Sequence, residues 1–183
     1  MKNLFFALIL VIALSGCSSK PTESAGNANP ADKKAAELKV IKDAPDFDLE
    51  DVLGGRLKSA DLKGKVVIVD FWATYCAPCK KEIPEYVALM EKLKGRDVAI
   101  IGVTFESGSA SDIKPYLPEF GVKYPVAVGT DQVGDEFGGF IGLPTTFIVG
   151  KDWKVYKKYI GSTPSKLGDI ENTINALLER STT

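Results

Sequence analysis

The stretch from Lys65 to Lys94 constrains this chain more than any other. Lys65-Val66-Val67-Ile68-Val69-Asp70-Phe71-Trp72 is a continuous β-branched and aromatic run, the pattern of a central strand buried on both faces. Ile83, Tyr86, Val87, Met90 and Leu93 then recur at helical spacing, which predicts an amphipathic helix from about Ala77 to Lys94. Between the two stands Cys76-Ala77-Pro78-Cys79, so a pair of thiols sits where a buried strand hands over to a helix. Pro78 costs little there, because the first helical amides have no partner within the helix. Pro84 lies deeper and is expected to kink the helix, and Gly95 supplies a stop.

That placement carries chemistry. The unpaired amides and the positive end of the helix dipole face Cys76 and favour its thiolate. Thiolates in such positions have pKa values of roughly 3.5–7.5, against about 8.5 for a free cysteine. Cys76 is therefore the expected nucleophile toward a disulfide. Cys79, one turn deeper, is placed to attack the resulting mixed disulfide and release the reduced partner.

Downstream, Val98 to Phe105 reads as a second buried strand, and strand–helix–strand in that order predicts a βαβ unit with a parallel pair. A Gly/Ser patch at 107–109 leads to a short helix near Ala110–Leu117, a strand at Tyr124–Val128 and a short helix at Asp131–Phe137. Thr145–Val149 and Val155–Ile160 read as two strands joined across Gly150-Lys151-Asp152. Pro164 is expected at the first position of a last helix, whose stripe is Leu167, Ile170, Ile174, Leu177 and Leu178. Upstream, Ala44–Leu49 alternates like an edge strand before a Gly54-Gly55 turn. No internal repeat is present.

The first sixteen residues have a cationic start and an apolar run, Leu4–Leu14, that is short for a bilayer span and right for a signal-peptide core. Leu14-Ser15-Gly16-Cys17 resembles the bacterial lipobox, which implies cleavage before Cys17 and lipidation of that residue. An uncleaved anchor helix is the alternative. Either way the rest of the chain is expected outside the inner membrane, tethered to a bilayer. Ser18 directly after Cys17 hints weakly at the outer membrane, and the choice of membrane stays open. Residues 17–39 are poor in large apolar side chains and rich in Ser, Asn, Pro and Gly, as a flexible tether is. The folded domain is expected over 40–183.

With Cys17 assigned to lipid, two of the three cysteines remain, and in an oxidising compartment they have only each other. The chain has no histidine, which removes the commonest metal ligand and any histidine-based triad. Structural zinc needs four ligands and cannot be completed here. Lys+Arg number 23 against Asp+Glu 24, with no basic aromatic-rich patch, so nucleic acid is an unsuitable partner. No P-loop or dinucleotide fingerprint appears, and no cofactor is expected.

Val69 to Lys80, together with Leu62-Lys63-Gly64-Lys65, Lys81-Glu82-Ile83-Pro84 and the central insert, resembles the thioredoxin superfamily and its TlpA/ResA-like extracytoplasmic branch. The resemblance implies an α/β thioredoxin-like fold, a central mixed β-sheet flanked by helices, with an N-terminal β-extension and a central insert. It also implies a cis bond at Pro144, packed beside the cysteines, with the Leu143 backbone pairing an extended substrate. By the same resemblance Asp70 is a buried acid beneath Cys79, and Glu82 is the branch's second acid, serving proton transfer. Ordinary readings compete with both: Asp70 as a hydrated strand-end residue, Glu82 as a solvated first-turn acid. Trp72, Ala77 and Pro78 are expected at the contact surface, although core packing is an equal reading for Trp72. Two positions depart from the family pattern, Tyr75 before the first cysteine and Gly150–Trp153 after the cis-proline strand.

The activity these features imply is thiol–disulfide exchange with protein substrates, in the reducing direction by branch resemblance, with apocytochrome haem-binding cysteines as one substrate class. Electrons would come from a membrane thiol carrier. An oxidase or isomerase, a Cu(I)-binding thiol module and a thiol peroxidase stay open as alternatives. The last lacks the threonine expected three residues before a peroxidatic cysteine, where Ala73 stands.

Overall fold

The structure, a computed structural model, describes residues 38–139 and 141–180. The signal segment, Cys17 and the tether up to residue 37 lie outside the described residues.

Strand β4 (Val66–Trp72) is buried along its whole length, as its β-branched run requires. It pairs parallel with β5 (Val98–Thr104) and antiparallel with β7 (Thr145–Val149). The sheet extends from β5 to β6 (Val126–Val128) on one side, and from β7 through β8 (Lys154–Ile160) to β1 (Lys42–Asp43) on the other. A hairpin of β2 (Asp48–Glu50) and β3 (Arg56–Lys58) stands apart as a second sheet, linked to Ala127 by an isolated bridge at Asp51. The helices are α1 (Ala77–Lys92), α2 (Ala110–Ile113), α3 (Tyr116–Glu119), α4 (Asp131–Glu136) and α5 (Lys166–Glu179). The mixed sheet, the N-terminal extension and the central insert are those expected.

Alternation along β4 sorts the core into two layers. Val66, Ile68 and Trp72 face α1 and α5, where Ile83, Tyr86, Leu89, Ile170, Ile174 and Leu177 pack. Val67, Val69 and Phe71 face the other way, toward Leu49, Leu57, Val133 and Phe137. There Phe71, Phe137 and Phe147 form an aromatic cluster with ring centres 5.0–5.8 Å apart. By the same parity Asp70 belongs to the α1/α5 face.

Local differences from expectation have local causes. The helix foreseen over 110–117 divides into α2 and α3, because Pro115 and Pro118 have no amide hydrogen to extend the ladder. Of the edge strand foreseen over Ala44–Leu49 only Asp48 and Leu49 are strand, as the start of β2; Ala44–Phe47, with Pro45 among them, are not, and β1 ends before them at Asp43. Pro164 is not the first helical residue. It lies in a turn in which the Lys166 amide donates to the Thr163 carbonyl at 3.1 Å, and α5 starts at Lys166. Helix α1 continues through Pro84, which sits on its exposed side.

Candidate active site

The β4–α1 junction places the two cysteines. Cys76 caps α1 in extended backbone geometry, and the Cys79 amide donates to Cys76 Sγ at 3.3 Å. This is the interaction that would stabilise the Cys76 thiolate once the bond opens. The two sulfurs are joined in a disulfide. Cys76 retains 7% exposure and Cys79 1%, so an incoming thiol or disulfide reaches Cys76 first.

A groove of about 550 Å³ opens beside Cys76, lined by Tyr75, Ala77, Pro78, Phe105, Leu143 and Gly142 among others. The Leu143–Pro144 peptide is cis, as the resemblance implies. Its loop is held by Thr145 Oγ1, which donates to the Gly142 carbonyl at 2.7 Å, and by the Gly161 amide, which donates to the Pro144 carbonyl at 2.8 Å. Ala77, Pro78 and Leu143 thus stand where a substrate segment can reach them. Trp72 does not. It is fully buried, edge-on to Phe120 with ring centres 6.2 Å apart, and its Nε1 lies where a side chain at Gly102 would be. Trp72 packs in the α1/α5 core layer, and its contact-surface reading is set aside.

One turn along α1 from Cys79, on the same buried face, Glu82 belongs to a polar cluster in the α1/α5 layer. Asp70 and Glu82 are both buried, so the hydrated readings of these acids do not hold. Thr146 Oγ1 donates to Asp70 Oδ1 at 2.7 Å. Thr146 has one proton, so the Tyr86 hydroxyl, 3.0 Å away, donates to it. Tyr86 lies 3.5 Å from Glu82 Oε2, which receives its strong bond from Lys166 Nζ at 2.7 Å. Lys166 also donates to the Gly161 carbonyl at 3.2 Å. Lys166, Tyr86 and Thr146 were not foreseen as site residues. The signal for two of the cluster was present, since Glu82 falls between Cys79 and Tyr86 on the apolar face of α1, and Lys166 is one turn before Ile170.

Burial pushes the Asp70 carboxyl up to about 7 from its ordinary 3.8. The Lys166 ammonium and then the Thr146 hydroxyl pull it partly back, and Glu82 adds a small upward push. Burial raises the Tyr86 phenol far above its usual range, with Asp70 and Glu82 adding to the effect. Asp70 can therefore both accept and return a proton near neutral pH. Among the described residues no group of three or more metal-ligating side chains gathers.

The raised Asp70 value makes a stability prediction with a definite sign. The folded state holds this proton more tightly than the unfolded chain. Its contribution is full below about pH 4 and is lost as pH rises to about 7. Asp70→Asn keeps the neutral form at every pH. The variant should gain on wild type across that window, by up to about 4 kcal/mol at pH 8. Urea unfolding of the oxidised proteins at pH 4 and pH 8 measures this, and an equal difference at both pH values would contradict it.

A strand-to-helix CxxC disulfide, a neighbouring cis-proline loop and a thioredoxin-like sheet define a thioredoxin-like thiol–disulfide oxidoreductase. Similarity to known proteins gives the family. Residues 40–158 match the AhpC/TSA family, and the chain belongs to it. It is 34% identical over 159 residues to the thiol-disulfide oxidoreductase ResA of Bacillus thuringiensis (strain Al Hakam), covering 87% of this chain and 88% of that protein. It is 39% identical over 134 residues to ResA of Bacillus subtilis (strain 168), covering 72% and 74%. Among solved structures it resembles a putative thiol:disulfide interchange protein DsbE from Chlorobium tepidum. The TM-score is 0.70 and the identity 29%, over 77% of this chain and 99% of that one.

Proposed function

We propose that this protein reduces disulfides of protein substrates outside the cytoplasm, tethered to a membrane, inner or outer, through lipid on Cys17. Haem-binding cysteines of apocytochromes c are its proposed substrate class, and a membrane thiol carrier its electron donor. The proposal for the location rests on the signal-like first sixteen residues and the lipobox-like Leu14–Cys17. Among the described residues no helix is long and apolar enough to cross a membrane.

One observation carries the direction. A pair is a strong oxidant when its reduced form is stabilised. Here Cys76 Sγ accepts a hydrogen bond from one amide, and the buried cluster that begins one turn along α1 holds two acids against a single cation, Lys166. Negative charge on the cysteines is thus stabilised at the helix terminus, while the cluster, with Lys166 offsetting one of its two acids, adds no net positive charge when Asp70 is ionised. This supports a stable disulfide and a dithiol that donates. The dipeptide between the cysteines, Ala77-Pro78, contains no histidine to add a cation. With a small-molecule dithiol as electron source, the protein should accelerate reduction of insulin more than it accelerates oxidation of a reduced, unfolded substrate. The reverse ranking would overturn the reductase reading and leave the exchange chemistry standing.

A further inference from the structure

Three charged side chains are buried among the described residues, and they form one group: Asp70, Glu82 and Lys166. Lys166 opens α5 and reaches Glu82 across 84 positions of sequence. Its ammonium lies against the Glu82 carboxylate at 2.7 Å, the Gly161 carbonyl at 3.2 Å and the Tyr86 ring at 5.9 Å from the ring centre. The groups around this ion pair come from every packed element: Glu82 and Tyr86 from α1, Asp70 from β4 and Thr146 from β7. The Tyr124 phenol, ahead of β6, feels the same two acids. Two apolar side chains of similar volume would fill this space without taking charges out of water. What packing alone would not supply is a fixed positive charge beside the two buried acids, one of which lies a helical turn from the resolving cysteine.

We propose that Lys166 is a positioning residue for thiol–disulfide exchange, holding the Glu82 carboxylate in place and lending positive charge to both buried acids. The inference rests on the exchange chemistry and is independent of its direction. When Cys79 resolves a mixed disulfide, its thiol proton passes to the Asp70 carboxylate. Its sulfur bonds to Cys76 Sγ, the bond from Cys76 to the substrate breaks, and the substrate leaves as a thiolate. The two cysteines are oxidised and the substrate disulfide is reduced. Asp70 can take that proton only while ionised, and the ammonium favours the ionised form. Without Lys166, resolution should need a higher pH, while the first attack by Cys76 is spared.

Ellman's reagent separates the two steps on the reduced protein. The first chromophore released reports attack by Cys76, and the second reports resolution by Cys79. In Lys166→Met the pH profile of the second phase should move alkaline by about one unit, slowing it about fivefold at pH 7. The first phase should stay within about twofold. The variant Glu82→Gln/Lys166→Met removes both charges and so leaves neither stranded. Its second phase should also move alkaline, because Lys166 acts on Asp70 more strongly than Glu82 does. If Lys166→Met does not fold, the double variant decides. A second-phase profile in the folded variants that coincides with wild type, or equal slowing of both phases, would overturn the proposal. Absence of any first phase in wild type would instead count against Cys76 as the nucleophile.

Discussion

Cys79→Ser should stop the reaction half-way, with Cys76 held in mixed disulfides with its substrates. Cys76 is the sulfur that a partner can reach, at the cap of α1 and beside the groove, whereas Cys79 is sealed at 1% exposure. Removing Cys79 leaves the first bond formation intact and removes the internal thiol that resolves it. Release then depends on an external thiol at millimolar concentration instead of a neighbour at high effective concentration, so turnover on insulin should fall at least about 10²-fold. Cys76→Ser should lose turnover to the same extent without trapping anything, because the buried Cys79 cannot begin the reaction. Non-reducing electrophoresis of the two variants against a disulfide substrate distinguishes them. Equal trapping by both would contradict an order in which Cys76 attacks first and Cys79 resolves.

Breaking the buried ion pair should have the second large effect, this time on stability. The side chains of Lys166 and Glu82 are 3% and 6% exposed and meet at 2.7 Å. Removal of one partner strands the other charge away from water, which typically costs about 3–5 kcal/mol. That is a large share of the roughly 5–15 kcal/mol that holds a domain of this kind together. Glu82→Gln and Lys166→Met should therefore each be severely destabilised, while Glu82→Gln/Lys166→Met regains most of the loss. Urea melts of the three variants test this cycle. Additive losses in the double variant would show that the two side chains are stabilised independently.

Much of this arrangement is legible along the chain, and what is not has a physical reason. Val66–Trp72 and the Ile83–Leu93 stripe announce a buried strand and an amphipathic helix because period and residue type agree, and both stand in the structure. The handover between them fixes Cys76 as a helix cap. The cis state of Pro144 was reachable only through family resemblance, since an isolated X-Pro bond is mostly trans. Burial of Glu82 was not decided by its position near the start of α1: the expectation sets it in the first turn, beside the helix dipole, whereas it is the helix's sixth residue, one turn in. Lys166 supplied the missing information, and it lies 84 residues away on another helix. Pairings at such range depend on how α1 and α5 stack on the sheet, which local periodicity does not encode. Trp72 stands open in the sequence between core and contact surface, because a strand buried on both faces gives parity nothing to decide, and the structure places it in the core.

The central claim is a dithiol pair that donates electrons, and its midpoint potential tests this most directly. The domain from about Ser18 can be equilibrated against glutathione or dithiothreitol buffers and the Cys76–Cys79 state counted by thiol alkylation. With no histidine between the cysteines and no net positive charge in the buried cluster when Asp70 is ionised, the couple should fall at about −200 mV or below, toward the thioredoxin end near −270 mV. A value near −120 mV, the range of a strong disulfide-forming oxidant, would contradict the account.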